Sequence, residues 1–503
     1  MRIKNTIKNS LYSIICYMIT TILLFWSRRL FLDNLSVEFL GYDSLFKEVL
    51  AFVSLADLGI GGAITYRMYE VVARGDQKQV VKMMNMYRYI YLALAGLILF
   101  FGLCMIPLLP LFIKNTQLSF PYICLIYCLQ LLGTVSSYLL GYNRIRFQAE
   151  QKEYVTVKID LFMNVIAQLL RIIVLLTVSN YIVYVMVTIV QNVGANVWIA
   201  CKYRTTFGKD EATKIKKQDI QQLELLKDFK NFIFHKIASI VYGGTDNIVI
   251  SSILGVSKVA LFTNYTLVAN QLNAVIDKLF QPLIASIADL IYKESREKAY
   301  YLFRGLDFLF FLIGTYLCVG ISSIIQSFVS LWLGKQYLQN YLFVYLITCN
   351  VYIVWAHKVL VLFRSTMGHF EEDRKYMNWS AIINLSISIV LGRYFGFSGI
   401  MLGTVLGHLC IWYGRMKVVF HTYFKMETAG YIKDQVKRFT EALLICGVCI
   451  FITRELAVSW WGMIIKGILV TIIYVLYVCV LFRKSEEVSI IVEYLKKIRK
   501  LRG

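Results

Sequence analysis

The sequence predicts an all-α polytopic membrane protein of about 14 transmembrane helices, arranged as two lobes followed by two extra C-terminal helices. Three observations predict this class. The 503 residues are 58% hydrophobic with only 4 prolines, and the mean hydropathy of +0.61 exceeds that of soluble domains. Apolar stretches of bilayer-spanning length recur along nearly the whole chain. Basic residues gather in alternate loops between these stretches.

A helix needs about 20 mostly apolar residues to cross a bilayer, and fourteen stretches of the chain meet this length. They lie approximately in residues 10–32, 38–70, 86–113, 119–142, 155–178, 180–201, 231–254, 259–291, 305–332, 340–363, 376–395, 398–423, 439–453 and 459–482. The longest polar connection, 206–230, falls between the sixth and seventh stretches. It predicts a cytoplasmic linker between an N-lobe at 1–205 and a C-lobe at 231–424, with the two extra spans at 431–482.

Two further patterns concern repetition and the tail. A shift of 219 residues places LSVEFLGY at 35–42 against LGVSKVAL at 254–261, each predicted as a short outward turn between two spans. This suggests that the lobes are repeats of a six-helix unit. Residues 483–503 are predicted as a basic amphipathic cytoplasmic tail, because Val488, Ile491, Val492, Leu495 and Ile498 keep helical spacing. Such a helix would lie on the inner membrane surface, and a solvated charged tail is the alternative.

The net charge of +22 is explained by topology. With a cytoplasmic N-terminus, the predicted outer loops hold five cations, Lys114, Lys258, Lys335, Arg393 and Arg454, while the inner loops and tail hold most of the others. This asymmetry predicts that both termini lie in the cytoplasm. The excess charge then serves topology and contact with anionic membrane lipid, so no nucleic-acid partner is expected.

Cysteines and histidines indicate no metal, cofactor or disulfide. The 11 cysteines are scattered within spans, the pairs Cys124 with Cys128 and Cys446 with Cys449 have helical spacing, and no histidine keeps zinc spacing with them. The five histidines have no partner at a catalytic spacing, and no carboxylates cluster in a polar loop. The sequence therefore predicts that the protein is not an enzyme.

The stretch LADLGIGGAITYRMYE at 55–70 places Asp57 beside Gly59, Gly61 and Gly62 inside the second predicted span. A phosphate-binding loop would need a preceding strand and exposure to water, so this interpretation is excluded. The glycines instead predict close helix packing. A charge at mid-bilayer costs about 2.5–3.5 kcal/mol, so Asp57 is expected to face a cavity or a charged partner.

Similar ionisable residues recur within the predicted spans. They are Arg28, Arg29, Asp43, Lys47, Arg67, Arg171, Lys236, Asp246, Asp277, Lys278, Lys358 and Lys466. Most lie in spans one, two, seven and eight, which are equivalent helix pairs if the lobes are repeats. Their charges are therefore expected to converge on a water-filled cavity between the lobes.

With these residues in place, the sequence resembles the polysaccharide-transport family of the MOP exporter superfamily. The N-terminal resemblance runs from SRRLFLDNLSVEFLGYDSLF through SLADLGIGGAITYRMYEVVARGD. The C-terminal resemblance is TDNIVISSILGVSKVALFTNYTLVANQL followed by FQPLIASIADL. It implies a MATE-like pair of lobes with alternating access, and a flippase that moves an undecaprenyl-pyrophosphate-linked oligosaccharide to the outer leaflet.

The resemblance also guides the expected site residues. Arg28, Arg29, Lys47 and Lys278 are expected to contact the diphosphate. Asp57, Asp246 and Asp277 are expected to hold those cations or to take part in ion coupling. The implied partners are the lipid-linked oligosaccharide, membrane lipid, and the polymerase and glycosyltransferases of the same pathway.

Two alternatives stay open. The first is a polytopic polysaccharide polymerase or glycosyltransferase acting on lipid-linked sugars, although the short outer loops argue against it. The second is a multidrug/cation antiporter or a lipid II flippase of the same superfamily. A drug exporter is expected to carry more acid than base in its cavity, whereas the balance here is mixed to cationic.

Overall fold

The computed structural model describes residues 2–54, 60–208, 244–280, 295–367, 370–483 and 485–500. The regular elements within these ranges are helices, which confirms the predicted all-α class. Internal contacts divide the chain into two units, Met1–Ala260 and Leu261–Gly503. Residues 209–230 of the predicted linker lie outside the described residues, and the predicted lobe boundaries stay a prediction.

The first unit contains ten α-helices within its described residues, and an eleventh begins in it. They are α1 (Arg2–Asn34), α2 (Val37–Val53), α3 (Ile60–Ala73), α4 (Gln77–Cys104), α5 (Leu109–Phe112), α6 (Phe120–Tyr138), α7 (Asn143–Ala149), α8 (Glu153–Thr177), α9 (Tyr181–Phe207), α10 (Asp246–Ile253) and α11 (Val256–Phe280). Asp57 lies outside the described residues, so its predicted role stays a prediction.

Two short turns in the first unit lie at positions that the 219-residue shift relates to each other. Ser36 precedes α2 with an extended backbone, and its Oγ accepts a hydrogen bond from the N–H of Phe39. Gly255 occupies the corresponding turn before α11 with φ of 104°, a conformation that glycine adopts without steric cost. The end of α10 and the start of α11 are displaced by 219 residues from the end of α1 and the start of α2.

Buried aromatic residues hold α2, α4 and α6 together in the first unit. The rings of Phe46 on α2 and Tyr127 on α6 pack edge to face, with centroids 5.2 Å apart. The Tyr127 hydroxyl donates to the backbone carbonyl of Gly102 on α4 at 2.9 Å. On α9, the Asn192 Nδ2 donates to the carbonyl of Gly133 on α6 at 2.8 Å. These contacts fix which faces of α2, α6 and α9 meet.

The second unit continues from α11 with eight further α-helices within its described residues. They are α12 (Arg296–Trp332), α13 (Tyr341–Ala356), α14 (Lys358–Met367), α15 (Phe370–Phe395), α16 (Phe397–Lys417), α17 (Ala429–Thr453), α18 (Trp460–Phe482) and α19 (Glu486–Lys500). A π-helical segment, Val418–Phe424, extends α16. Helices α15 and α16 approach closely at Gly403, where an added Cβ would lie 2.3 Å from the Oγ of Ser388.

Eight helical segments among the described residues are long and apolar enough to cross a membrane. They are Gln77–Phe112, Phe120–Tyr138, Glu153–Thr177, Tyr181–Phe207, Arg296–Trp332, Tyr341–Met367, Phe397–Phe424 and Trp460–Phe482. Each overlaps one of the predicted spans. The chain is therefore a multi-pass membrane protein.

The C-terminal helix α19 packs against the first turns of α12. Ile490 is fully buried, and it fits against Gly305 so closely that an added Cβ there would lie 2.6 Å from the Ile490 Cγ2. Arg304 forms ion pairs of 2.9 Å with both Glu486 and Glu487. Burial raises the pKa of Glu487, but hydrogen bonds from its own backbone N–H and from Arg304 outweigh this and lower the pKa. Ile490 of this tail is thus covered by α12.

We expect Ile490→Asp to release α19 from α12. The substitution removes about 2–3 kcal/mol of apolar burial and adds an unpaired buried charge, so the rate at which trypsin removes the tail should rise at least about tenfold. Val492→Asp is the matched control, because Val492 lies on the same helix but is 42% exposed. Equal cleavage rates for the two variants would contradict the docking.

A candidate substrate cavity in the first unit

A polar cavity of about 300 Å³ lies between α2, α6 and α9 in the first unit. Six of its polar side chains come from pairs of helix positions four residues apart, which lie on one face of a helix. They are Asp43 and Lys47 on α2, Gln130 and Thr134 on α6, and Thr188 and Asn192 on α9, and the polar lining also includes Ser54 and Ser137. The cavity therefore offers hydroxyl and amide groups beside an ion pair.

Asp43 is the centre of the ionic contacts in this cavity. Its Oδ2 lies 2.6 Å from the Lys47 Nζ, and its Oδ1 accepts a hydrogen bond from the Gln130 Nε2 at 3.4 Å. The same Gln130 Nε2 lies 2.9 Å from the Tyr181 hydroxyl. The Asp43 side chain is 13% exposed, whereas the Lys47 side chain is 67% exposed. The ammonium group of Lys47 is therefore accessible to a ligand, while the carboxylate behind it is held in place.

Two arginines extend this charged region along α1 and α8. Arg28 on α1 interacts electrostatically with Asp43 and with Tyr184. Arg171 on α8 donates to the Thr188 Oγ1 at 3.1 Å, and its guanidinium lies 5.8 Å from the centre of the Tyr184 ring. We refer to Arg28, Lys47 and Arg171, with Asp43, as the cation cluster. It carries three positive charges and one negative charge, so it favours an anionic ligand.

The other predicted site residues lie elsewhere. Arg29 forms an exposed ion pair with Asp33, at 3.6 Å, one turn further along α1. Asp246 lies in the first turn of α10, where it interacts electrostatically with Glu48 of α2. The structure thus brings Arg28 and Lys47 together through Asp43, and it places Asp246 at a different contact of α2.

In the second unit, Asp277 of α11 pairs with Lys358 of α14 at 2.5 Å. The Lys358 ammonium also lies 5.3 Å from the centre of the Trp355 ring, and the Trp355 indole N–H donates to the Asn273 Oδ1 at 2.7 Å. Lys278 lies in the last turn of α11 and is half-buried. Asp277 thus pairs with Lys358, which is not among the cations expected to contact the diphosphate, so its expected role stays a prediction.

Two buried charge clusters in the second unit connect helices to one another. Asp373 of α15 is fully buried and pairs with Arg364 of α14 at 2.8 Å and with Arg415 of α16 at 3.3 Å. In the other cluster, Asp307 of α12 accepts hydrogen bonds from three residues of α17. These are Tyr431, Gln435 and Arg438. Each cluster joins separate helices, α14 with α15 and α16 in the first and α12 with α17 in the second. We therefore assign both clusters to the stability of the unit.

No group of three or more His, Cys, Asp or Glu side chains within the described ranges is arranged to hold a metal ion.

No protein-family model and no curated protein matches the chain. Solved structures do match it. The lipid II flippase MurJ, in an inward closed conformation, aligns with a TM-score of 0.65 at 12% sequence identity, covering 93% of this chain and 99% of that chain. An inward-facing multidrug resistance MATE family transporter of the MOP superfamily aligns at 0.58 and 13% identity, covering 81% and 98%. A MATE structure in the bent conformation aligns at 0.54 and 14% identity, covering 82% and 95%.

The chain has the fold that MurJ and the MATE transporters share. This confirms the predicted MATE-like fold, while the superfamily and its polysaccharide-transport branch stay a prediction. At these identities the likeness extends to the architecture and not to a substrate.

Several residues that line this cavity were not identified from the sequence. Gln130, Thr134, Thr188 and Asn192 are uncharged, and in an apolar span they resemble ordinary polar packing residues. Their spacing of four residues on α6 and on α9 was the available signal, because it places each pair on one helix face. Glu48 was missed as well, since it follows Lys47 directly and suggests a local ion pair.

Proposed function

We propose that this protein is a flippase that moves an undecaprenyl-pyrophosphate-linked oligosaccharide repeat unit from the inner to the outer leaflet by alternating access. The product would supply capsule, exopolysaccharide or O-antigen-type polysaccharide. The fold of MurJ and the MATE transporters supports a transport role. The observation that supports an anionic substrate is the cation cluster: Lys47 lines the cavity and pairs with Asp43, Arg28 interacts electrostatically with Asp43, and Arg171 donates to Thr188 of the cavity lining.

The physical argument starts from the head group. A sugar diphosphate cannot cross hydrocarbon unaided, since a charge there costs several kcal/mol. Cations in a low-dielectric cavity attract such a group more strongly than the same cations would in water. In this proposal Arg28 and Lys47 contact the diphosphate. The hydroxyls and amides of Thr134, Thr188 and Asn192 bond the sugar hydroxyls.

The remaining expected residues complete the proposal. Arg29 and Lys278 serve as further contacts of the diphosphate, at other stages of its passage. Asp57, Asp246 and Asp277 hold cations or take part in ion coupling. Both termini lie in the cytoplasm, and polymerase and glycosyltransferases of the same pathway act before and after this protein.

A multidrug/cation antiporter is the second candidate, because two of the three structures compared above are MATE transporters. The charge of the cavity argues against it. A cationic drug in the cavity would meet Lys47, with Arg28 and Arg171 nearby on α1 and α8, and Asp43 is the carboxylate of the lining that would offset these three charges.

The test is a leaflet-resolved mass-spectrometric measurement of lipid-linked oligosaccharide in cells with and without the protein. We expect loss of the protein to leave the repeat unit on the inner leaflet. Normal appearance on the outer leaflet with failed polymerisation would instead support a polymerase. Normal appearance and normal polymerisation would reject the flippase, and loss of drug efflux in the same cells would then favour the antiporter.

A further inference from the structure

Glu48 supplies the N-terminal cap of α10 from a different helix. Its Oε2 accepts hydrogen bonds from the backbone N–H groups of Asn247 at 3.0 Å and Ile248 at 3.3 Å. The residue that precedes α10, Thr245, makes no side-chain capping bond. The first N–H groups of a helix need such acceptors, and a carboxylate is favoured there by the helix dipole. Beside the apolar packing of Ile248 on the core that α2 shares, the Glu48 carboxylate therefore provides a polar contact between α2 and the start of α10.

A second carboxylate lies at the same helix end. Asp246 is in the first turn of α10 and interacts with Glu48 through their charges. The two negative charges repel, while the backbone donors attract the Glu48 carboxylate. A proton taken up by Glu48 removes this repulsion, but it also weakens the hydrogen bonds, because a neutral acceptor binds N–H groups less strongly.

The charged groups around this contact are few among the described residues. Asp246 comes from α10, Glu38, Asp43 and Lys47 come from α2 itself, Arg28, Arg29 and Asp33 from the last turns of α1 and Lys258 from the first turn of α11, while Lys78, Lys82 and Arg88 lie in the first half of α4. The described helices α5 and α6 contain no Asp, Glu, Lys or Arg. Arg28 and Lys47 are engaged with Asp43. The protonation of Glu48 is thus governed chiefly by its burial, and then by Asp246 and by the N–H groups at the start of α10.

We propose that Glu48 is a proton-responsive latch, which when ionised holds α2 against the start of α10 and when protonated lets the two helices separate. The role of the latch rests on the proposed transport function, since separation of α2 from α10 would let proton uptake drive one step of alternating access. The latch itself is a property of the protein without substrate. It assigns to the first unit a proton-binding residue that sequence reasoning did not identify.

Hydrogen–deuterium exchange of the full-length protein in lipid nanodiscs tests the latch without any substrate. Peptides that cover residues 244–255 report on the N–H groups that Glu48 holds. After correction for intrinsic exchange rates, we expect their protection in the wild-type protein to fall as the pH is lowered, by roughly tenfold, because hydrogen bonds to a charged acceptor are about that much stronger. Protection that does not change between pH 5 and 8.5 would overturn the proposal.

Three variants sharpen this test. Glu48→Gln keeps an acceptor but removes the charge, so its peptide should exchange roughly tenfold faster at pH 8 and show no pH dependence. Asp246→Asn removes the repulsion, so Glu48 stays ionised to lower pH and the loss of protection should move to lower pH. Glu38→Gln is the matched control. Glu38 is also on α2, and it accepts a hydrogen bond from the backbone N–H of Gln117 at 3.1 Å. In the Glu38→Gln protein, the peptide 244–255 should therefore exchange as it does in the wild type.

Transport is then measured separately. If the exchange results hold and the leaflet measurement fails, the latch stands and the proposed substrate is wrong. If the wild-type protection is independent of pH while transport proceeds, the flippase stands and the latch is wrong. A Glu48→Gln protein that retains the wild-type pH dependence of exchange would also reject Glu48 as the proton-binding group.

Discussion

Replacement of Arg28 by alanine is expected to leave most of the lipid-linked repeat unit on the inner leaflet. Arg28 is a cation near the cavity, and its charge acts on Asp43. Its loss removes a proposed contact of the diphosphate and leaves the negative charge of Asp43 less neutralised. Truncating one partner of an enclosed charge pair costs about 2–5 kcal/mol. We therefore expect the rate of appearance on the outer leaflet to fall roughly 30-fold or more.

Two further variants make this result specific. Arg28→Lys keeps the positive charge and should restore part of the activity, although it cannot form the same forked contacts with a phosphate. Arg74→Ala is the matched control, because Arg74 also belongs to the first unit and pairs with Glu70 four residues earlier, with both side chains more than half exposed. Equal rates for Arg28→Ala and Arg74→Ala, at equal amounts of protein, would remove Arg28 from the transport path.

Replacement of Asp373 by alanine is expected to cause the largest loss of stability. Asp373 is fully buried and pairs with Arg364 and Arg415, whose side chains are themselves buried. Without the carboxylate, two guanidinium groups remain close together in a site with little water. Removing one partner of a buried ion pair costs about 3–5 kcal/mol, so the free energy of unfolding should fall by that amount.

The measurement is denaturation of the purified protein in detergent, followed by tryptophan fluorescence. Glu455→Ala is the control, because Glu455 also pairs with an arginine, Arg454, at 2.9 Å, but with both side chains exposed. An exposed pair contributes about 1 kcal/mol or less, so this control should unfold nearly as the wild type does. A loss of less than about 1 kcal/mol for Asp373→Ala would show that the cluster does not hold α14, α15 and α16 together.

The candidate site could be predicted in part, as Arg28 and Lys47 illustrate. Both are charged residues in apolar spans, a property that belongs to each residue and its neighbours in sequence, and the family resemblance implies their contact with a diphosphate. Whether two such residues meet depends on the rotation of each helix about its axis. Arg28 interacts with Asp43, whereas the adjacent Arg29 pairs with Asp33 in an exposed position. One residue along a helix turns the side chain by about 100°, so neighbours in sequence reach different surroundings.

Glu48 illustrates the same limit for the contact with α10. Its sequence neighbour Lys47 pairs with Asp43, while Glu48 accepts N–H groups about 200 residues away. Hydrophobicity and charge along the chain reveal neither contact, because both arise only when distant helices pack.

The sequence by itself determined the all-α membrane class, the approximate positions of the eight spans found among the described residues and the MATE-like fold. Apolar length is a local property, since each span must satisfy the bilayer along its own length, so it can be read from consecutive residues. The tertiary structure alone decided that polar residues of α2, α6 and α9 enclose a cavity, that Arg28 and Lys47 share Asp43, and that α19 packs on α12. These outcomes depend on which faces of distant helices pack together, and this packing depends on buried contacts across the whole unit.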